Sequence, residues 1–251
     1  MTTLPQLGEC VLPALTPDLD SLWDAIFDVA IDLGSSGWVL VGGQMVMLHG
    51  LAAGRVATRA SRDIDLLADL LTSSGAVGKC VRVVLRLGFE PLEANERDLL
   101  HRFVRPSDQA IVDILAPDHT PPTWKATTIP PRATIKIDGG RQALERAGTI
   151  SVTRAGRTVE VPAPSPLGAL VLKGAAYRAD SRDRERHAYD AAFLASLITD
   201  PIATRATLKG SDRKRLRALD EVLADPHHEA WLLLGESRED AFARWRGLTL
   251  N

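Results

Sequence analysis

The chain has 251 residues, 45% of them apolar and 25% charged, with a formal charge of −2. That mixture belongs to globular proteins long enough to bury a core without staples, and it excludes disordered, fibrous and collagenous classes. No apolar run approaches the roughly 18 residues of a membrane span, and Met1–Thr2–Thr3 lacks the basic and then apolar layout of a signal peptide, so a cytoplasmic protein without membrane contact is expected.

Thr16–Pro17 reads as a cap followed by a proline in the first helical turn, and Leu19, Leu22, Trp23, Ile26, Val29, Ala30 and Leu33 recur at helical spacing up to Gly34. Trp38–Val41 then predicts a short buried strand, and Gly42–Gly43 leads into a short helix over Gln44–Leu48. Arg62–Leu67 alternates like a half-buried strand, and Gly75 to Leu87 reads as a helix stopped by Gly88. Strands are expected at Leu99–Val104 and Gln109–Leu115, joined by a turn at Pro106–Ser107–Asp108. Five prolines within residues 116–131 predict a surface connector. Thr149–Thr153 and Thr158–Val161 flank a hairpin turn, after which the pattern becomes helical. Ser165 caps a helix from Pro166 to Arg178, a second runs from about Arg184 to Leu197, and two or three more fill the stretch to Trp245. The expected class is α+β: a mixed sheet with helices over residues 1–162, then an all-helical domain over 163–251.

Asp63 and Asp65 are one residue apart, so a strand sends both carboxylates to one face, with Cα atoms about 6.5–7 Å apart. Two acids so placed repel each other unless something positive lies between them. A pair of magnesium ions roughly 3.5–4 Å apart meets that need and also holds nucleotide phosphates. Asp113, flanked by apolar residues in its own strand, could supply a third carboxylate. Gly42–Gly43 at a helix entrance lets backbone N–H groups approach a polyphosphate with no Cβ in the way. Lys173, on an otherwise apolar helix, either snorkels to water or points at an anion in a cleft. Asp190 lies among apolar residues, where a salt bridge to Lys173 or an arginine and a catalytic role are both open readings.

Charge is uneven along the chain: residues 132–217 hold 17 Lys/Arg against 9 Asp/Glu, and the remainder holds 13 against 23. An anion-facing region is compatible with that division. Cys10 and Cys80 lie 70 positions apart with no metal-ligand or redox spacing. His49, His101, His119, His187, His227 and His228 likewise form no ligand set, and only His187, near Asp190, bears on the site.

The run Val39–Gln44, the segment Thr58–Leu67 containing Asp63-Ile64-Asp65, and Val112–Leu115 together resemble the nucleotidyltransferase superfamily. Val161–Leu167 leading to Lys173, then Arg182 to Asp190, is similar to the AbiEii/MenT branch, toxins of bacterial toxin–antitoxin systems. The resemblance covers about residues 20–197. It implies transfer of a nucleoside monophosphate from an NTP to an acceptor with release of pyrophosphate. In that scheme Asp63, Asp65 and Asp113 hold Mg2+, with Asp113 also helping to activate the acceptor hydroxyl. Gly42, Gly43, Arg59, Ser61 and Lys173 bind the nucleotide, and Asp190 orients it or completes the pocket. An RNA acceptor, the tRNA 3′ end, and a cognate antitoxin protein are the implied partners, with a block of translation as the outcome. Gly43 stands where many relatives carry a serine, so phosphate binding is expected to depend on N–H groups and Lys173. Arginines 178, 182 and 186 are left without a role. Two other readings compete: transfer to a small molecule or a protein hydroxyl, and a catalytically silent nucleotide- or partner-binding protein, which requires Asp113 to point away from Asp63 and Asp65.

Overall fold

The computed structural model describes residues 4–59, 61–121 and 123–250. Met1–Thr3, Ala60, Pro122 and Asn251 therefore lie outside the described residues, and with them the leader reading and one residue of the Thr58–Leu67 segment. In chain order the first elements are β1 (Gln6–Val11), α1 (Pro17–Leu33), β2 (Trp38–Val41), α2 (Gly42–Ala52), β3 (Asp63–Ala68), α3 (Ala76–Arg86), β4 (Glu90–Pro91), β5 (Arg102–Arg105) and β6 (Ala110–Pro117). Then come β7 (Thr127–Ile129), β8 (Arg132–Ala133), β9 (Lys136–Ile137), α4 (Gly140–Leu144), β10 (Ala147–Arg154) and β11 (Arg157–Pro164). The chain closes with α5 (Pro166–Ala179), α6 (Glu185–Ala195), α7 (Pro201–Ala206), α8 (Asp212–Leu223), α9 (Glu229–Leu232), a 3-10 turn and α10 (Arg238–Thr249). The architecture is the expected α+β one, a mixed sheet followed by a helical region.

The central sheet runs β2-β3-β6-β5-β4, with β9 added to the end of β6. Strands β3 and β6 are parallel, while β2 pairs antiparallel with β3, and β5 with β6. Alternation along these strands sorts two faces. Leu40, Ile64, Leu66, Val112 and Ile114 join the main core, which extends from Leu12 to Leu248 and so crosses the 162/163 boundary. Val39, Val41, Leu67 and Leu115 form a second cluster on the opposite face, closed by Ala143 of α4 and Leu172 of α5. Asp63, Asp65 and Asp113 share the alternation of that second face, so carboxylates and apolar residues lie in succession along it.

Several expectations are corrected. β1, which the sequence reading leaves out, pairs parallel with β10, and β10 with β11 makes a separate three-stranded sheet. Residues 116–131 are more than a surface connector: β6 continues to Pro117, and Thr128 of β7 is buried with its hydroxyl donating to the Leu100 carbonyl. Asp118 is also buried, accepting from the N–H groups of Gly139 and Arg141 at the start of α4. β5 begins at Arg102, because Leu100 N–H bonds to Ala133 O and so belongs to another pairing. Helix α2 starts at the glycines themselves and reaches Ala52. Thr16 makes no side-chain cap, so the proline at position 17 is left as the start signal of α1, whereas Ser165 Oγ does accept from Gly168 N. Four α-helices, two of them only 6 and 4 residues long, follow residue 197 where two or three are expected.

Candidate active site

The in-register ladder of β3 and β6 sets Asp65 directly beside Asp113, and Asp63 opposite Ile111. One carboxylate oxygen from each of Asp63, Asp65 and Asp113 lies within 4.8 Å of the others. Ser61 Oγ donates to Asp63 Oδ1 at 2.7 Å. Arg102, opposite Asp113 on β5, donates through Nε and a terminal nitrogen to both Asp113 oxygens, at 2.8 and 2.7 Å. Desolvation, and then the charges of Asp63 and Asp113, push the Asp65 carboxyl up to about 7 against the opposing pull of Lys173 and Arg102. Three hard oxygen donors so close together, with too little positive charge to balance them, fit a divalent cation. The silent-protein reading needs Asp113 to face elsewhere, and it does not.

Val41, the last residue of β2, pairs with Asp65, so the chain must turn into α2 immediately over that carboxylate. Gly42 makes this turn at φ +70°, and a Cβ there would lie 1.7 Å from Asp65 Oδ2. At Gly43 a Cβ would lie 2.4 Å from Ser61 Cβ and 2.5 Å from its Oγ. The Ser61 hydroxymethyl group thus fills the space a side chain at residue 43 would take. No side chain caps α2, which leaves N–H groups at its positive end.

Lys173 of α5 and Asp190 of α6 are both buried, with Nζ 2.6 Å from Asp190 Oδ2. Arg59, from the segment before β3, adds two hydrogen bonds to Asp190 at 2.8 Å each. Burial works to raise the Asp190 carboxyl, but the two cations outweigh it and hold the group below its ordinary value. The salt bridge is therefore one of the two sequence readings of Lys173 and Asp190 that the geometry realises. Lys173 also faces the cleft, as the other reading requires.

A cleft of about 660 Å³ lies over the carboxylates, and Gly42, Gly43, Arg59, Ser61, Asp63, Asp65, Asp113 and Lys173 all line it. Asp190 does not; it sits behind Lys173 and Arg59. Arg186 lines the cleft and pairs with Asp180 at 2.9 Å, while Arg178 and Arg182 are exposed outside the lining. His187 lines it as well, with Nε2 3.2 Å from Asp180 Oδ2; burial, then Lys173 and Arg186, lower its pKa to about 4 and keep the ring neutral. Arg102, Lys136, Asp138 and the apolar pair Ile135 and Ile137 also line it and went unmarked in the sequence. For Arg102 a signal existed: folding the chain about Pro106–Asp108 pairs Arg105 with Ala110 and hence Arg102 with Asp113.

No curated protein matches the chain. Among solved structures, an antigenic nucleotidyltransferase-like protein from Paracoccidioides brasiliensis is similar, at 15% identity and a TM-score of 0.42 over 91% of this chain and 93% of that one. The family model for the nucleotidyl transferase AbiEii toxin of type IV toxin–antitoxin systems matches residues 25–247. With nearly its whole length matched, the chain belongs to the AbiEii family of nucleotidyltransferase toxins.

Proposed function

We propose that the protein is a magnesium-dependent toxin that transfers a nucleoside monophosphate from an NTP to an RNA acceptor, the 3′ end of tRNA, thereby blocking translation, and that a cognate antitoxin protein restrains it. The observation that carries this reading is the meeting of Asp63, Asp65 and Asp113 beneath the uncapped start of α2. Those three carboxylates would hold the magnesium, which when bound supplies neutralising charge to the phosphates. The N–H groups at the start of α2, the Ser61 hydroxyl, Arg59 and Lys173 bind and orient the polyphosphate. In the transfer the acceptor oxygen forms a bond to the α-phosphorus, and the bond to the bridging oxygen breaks. Pyrophosphate leaves with that electron pair, and the hydroxyl proton passes to Asp113.

An RNA acceptor is favoured by charge. Outside the carboxylate cluster the cleft is lined by Arg59, Arg102, Lys136, Lys173 and Arg186 against only Asp138 and Asp180. Arg178 and Arg182 add exposed cations next to Ala179 and Asp180 of that lining. A polyanion suits this surface, because phosphate contacts supply most sequence-independent affinity, whereas a small cationic acceptor would want the reverse balance. The test incubates the protein with each α-labelled NTP, magnesium and total RNA. Label should enter RNA of tRNA size, and Asp65→Asn should lower the rate on the order of a hundredfold or more with an unchanged circular dichroism spectrum. Wild-type protein that labels no RNA with any NTP would overturn the reading.

A further inference from the structure

Arg102 occupies a position that the transfer reaction cannot leave undisturbed. Its guanidinium takes both oxygens of Asp113, and one terminal nitrogen is also 3.9 Å from Asp63 Oδ2. Among the described residues no other Lys, Arg or His nitrogen comes within 4 Å of Asp63, Asp65 or Asp113. Lys173 and Arg59, which also line the cleft, pair with Asp190 and not with these carboxylates. Its side chain remains 40% exposed and makes hydrogen bonds to Asp113 alone, so rotating it away breaks only that pairing and the longer approach to Asp63. The fold thus sets one partly exposed cation against a cluster of three acids.

We propose that Arg102 is an exchangeable counter-cation: it holds Asp113 in the free protein, yields that carboxylate to a divalent cation, and then pairs with the phosphates of the bound nucleotide. The proposal rests on the carboxylate-site reading above. Electrostatics supports the exchange. A guanidinium and a dication that share one carboxylate repel each other at short range, so each weakens the hold of the other. Once released, a planar guanidinium in a cleft built for polyphosphate finds its best partner in phosphate oxygens, which it binds in the same forked geometry. Arg102 is in this account a positioning residue that sets cation affinity and guides the nucleotide.

The test measures Mn2+ binding to chelator-stripped full-length protein by electron paramagnetic resonance, without nucleotide. Four variants are compared with wild type: Arg102→Met, Arg102→Gln, Arg102→Lys and Asp65→Asn. Arg102→Met and Arg102→Gln should bind Mn2+ on the order of tenfold more tightly, because the competing charge is gone. Gln keeps one hydrogen bond to Asp113 and serves if Met compromises folding. Arg102→Lys should stay within about threefold of wild type, and the NTP KM of the neutral variants should rise more than kcat falls. Equal or weaker Mn2+ binding by both neutral variants, with wild type binding normally, would mean that Arg102 only braces Asp113. Wild type that shows no saturable Mn2+ site sensitive to Asp65→Asn would instead sink the carboxylate reading, and the exchange with it.

Discussion

Lys173 is 4% exposed and Asp190 1%, so neither charge can be solvated if its partner is removed. Lys173→Met leaves Asp190 with Arg59 alone, and the expected loss is about 3–5 kcal/mol of stability. Removing both charges, as in Lys173→Met with Asp190→Leu, should cost clearly less, since Arg59 is 28% exposed and can turn to water. Calorimetry on the two variants decides the matter: a double variant no more stable than the single one would contradict the buried-pair account. His49 is a second buried titratable group, with Nε2 2.8 Å from the Pro164 carbonyl oxygen. Burial lowers its pKa to about 4, so the unfolded chain takes up a proton near pH 6.5 that the folded protein refuses until about pH 4. Stability should therefore be flat with respect to this group above pH 6.5 and fall through the window from 6.5 to 4, by on the order of 3 kcal/mol in all. His187 acts in the same direction over the same window. Urea titrations at pH 7 and pH 5 should show His49→Gln with a smaller drop than wild type. An equal drop would remove His49 from the account.

At the scale of elements, the junction of β2 with α2 depends on two glycines for different reasons, and Gly43 is matched to Ser61. Gly43→Ser alone forces its Cβ into Ser61 and should lower the melting temperature. Ser61→Gly alone removes the hydroxyl that donates to Asp63. Combining the two relieves the collision and returns a hydroxyl to much the same space, so melting temperature and NTP KM should both recover toward wild type; additive damage would show that the two side chains do not share one volume. This junction was legible in the sequence because everything that defines it is local: an apolar run, a glycine pair and a helical period. The carboxylate face was legible for a similar reason, since a period of two forces Asp63 and Asp65 to one side and a flanking apolar run marks Asp113 as a strand residue. What escaped was set by pairing between distant segments. β1 carries no strong alternation and is fixed by contact with β10 more than a hundred residues later. Arg102 gains its meaning only from the register opposite Asp113, and the proline-bearing stretch is anchored at the buried Thr128 and Asp118, whose partners lie elsewhere in the chain.

For the whole molecule, the charge division along the sequence is partly annulled in space. Arg154 pairs with Asp20 and Asp24, and Arg157 lies 3.8 Å from Asp28, so the acidic face of α1 neutralises part of the basic 132–217 segment. Lys136 and the arginines around Asp180 are portions of that surplus left near the cleft. Packing is equally unconfined, because the main core takes buried residues from Leu12 to Leu248. The parallel pairing of β1 with β10 has a consequence for biosynthesis. At roughly 5–20 residues per second, the first strand leaves the ribosome on the order of ten seconds before the strand that receives it. Over that interval its backbone edge is available to chaperones or to misassembly, and Lys173 and Asp190 are made later still. A nascent chain thus carries its acids well before it can close the wall around them.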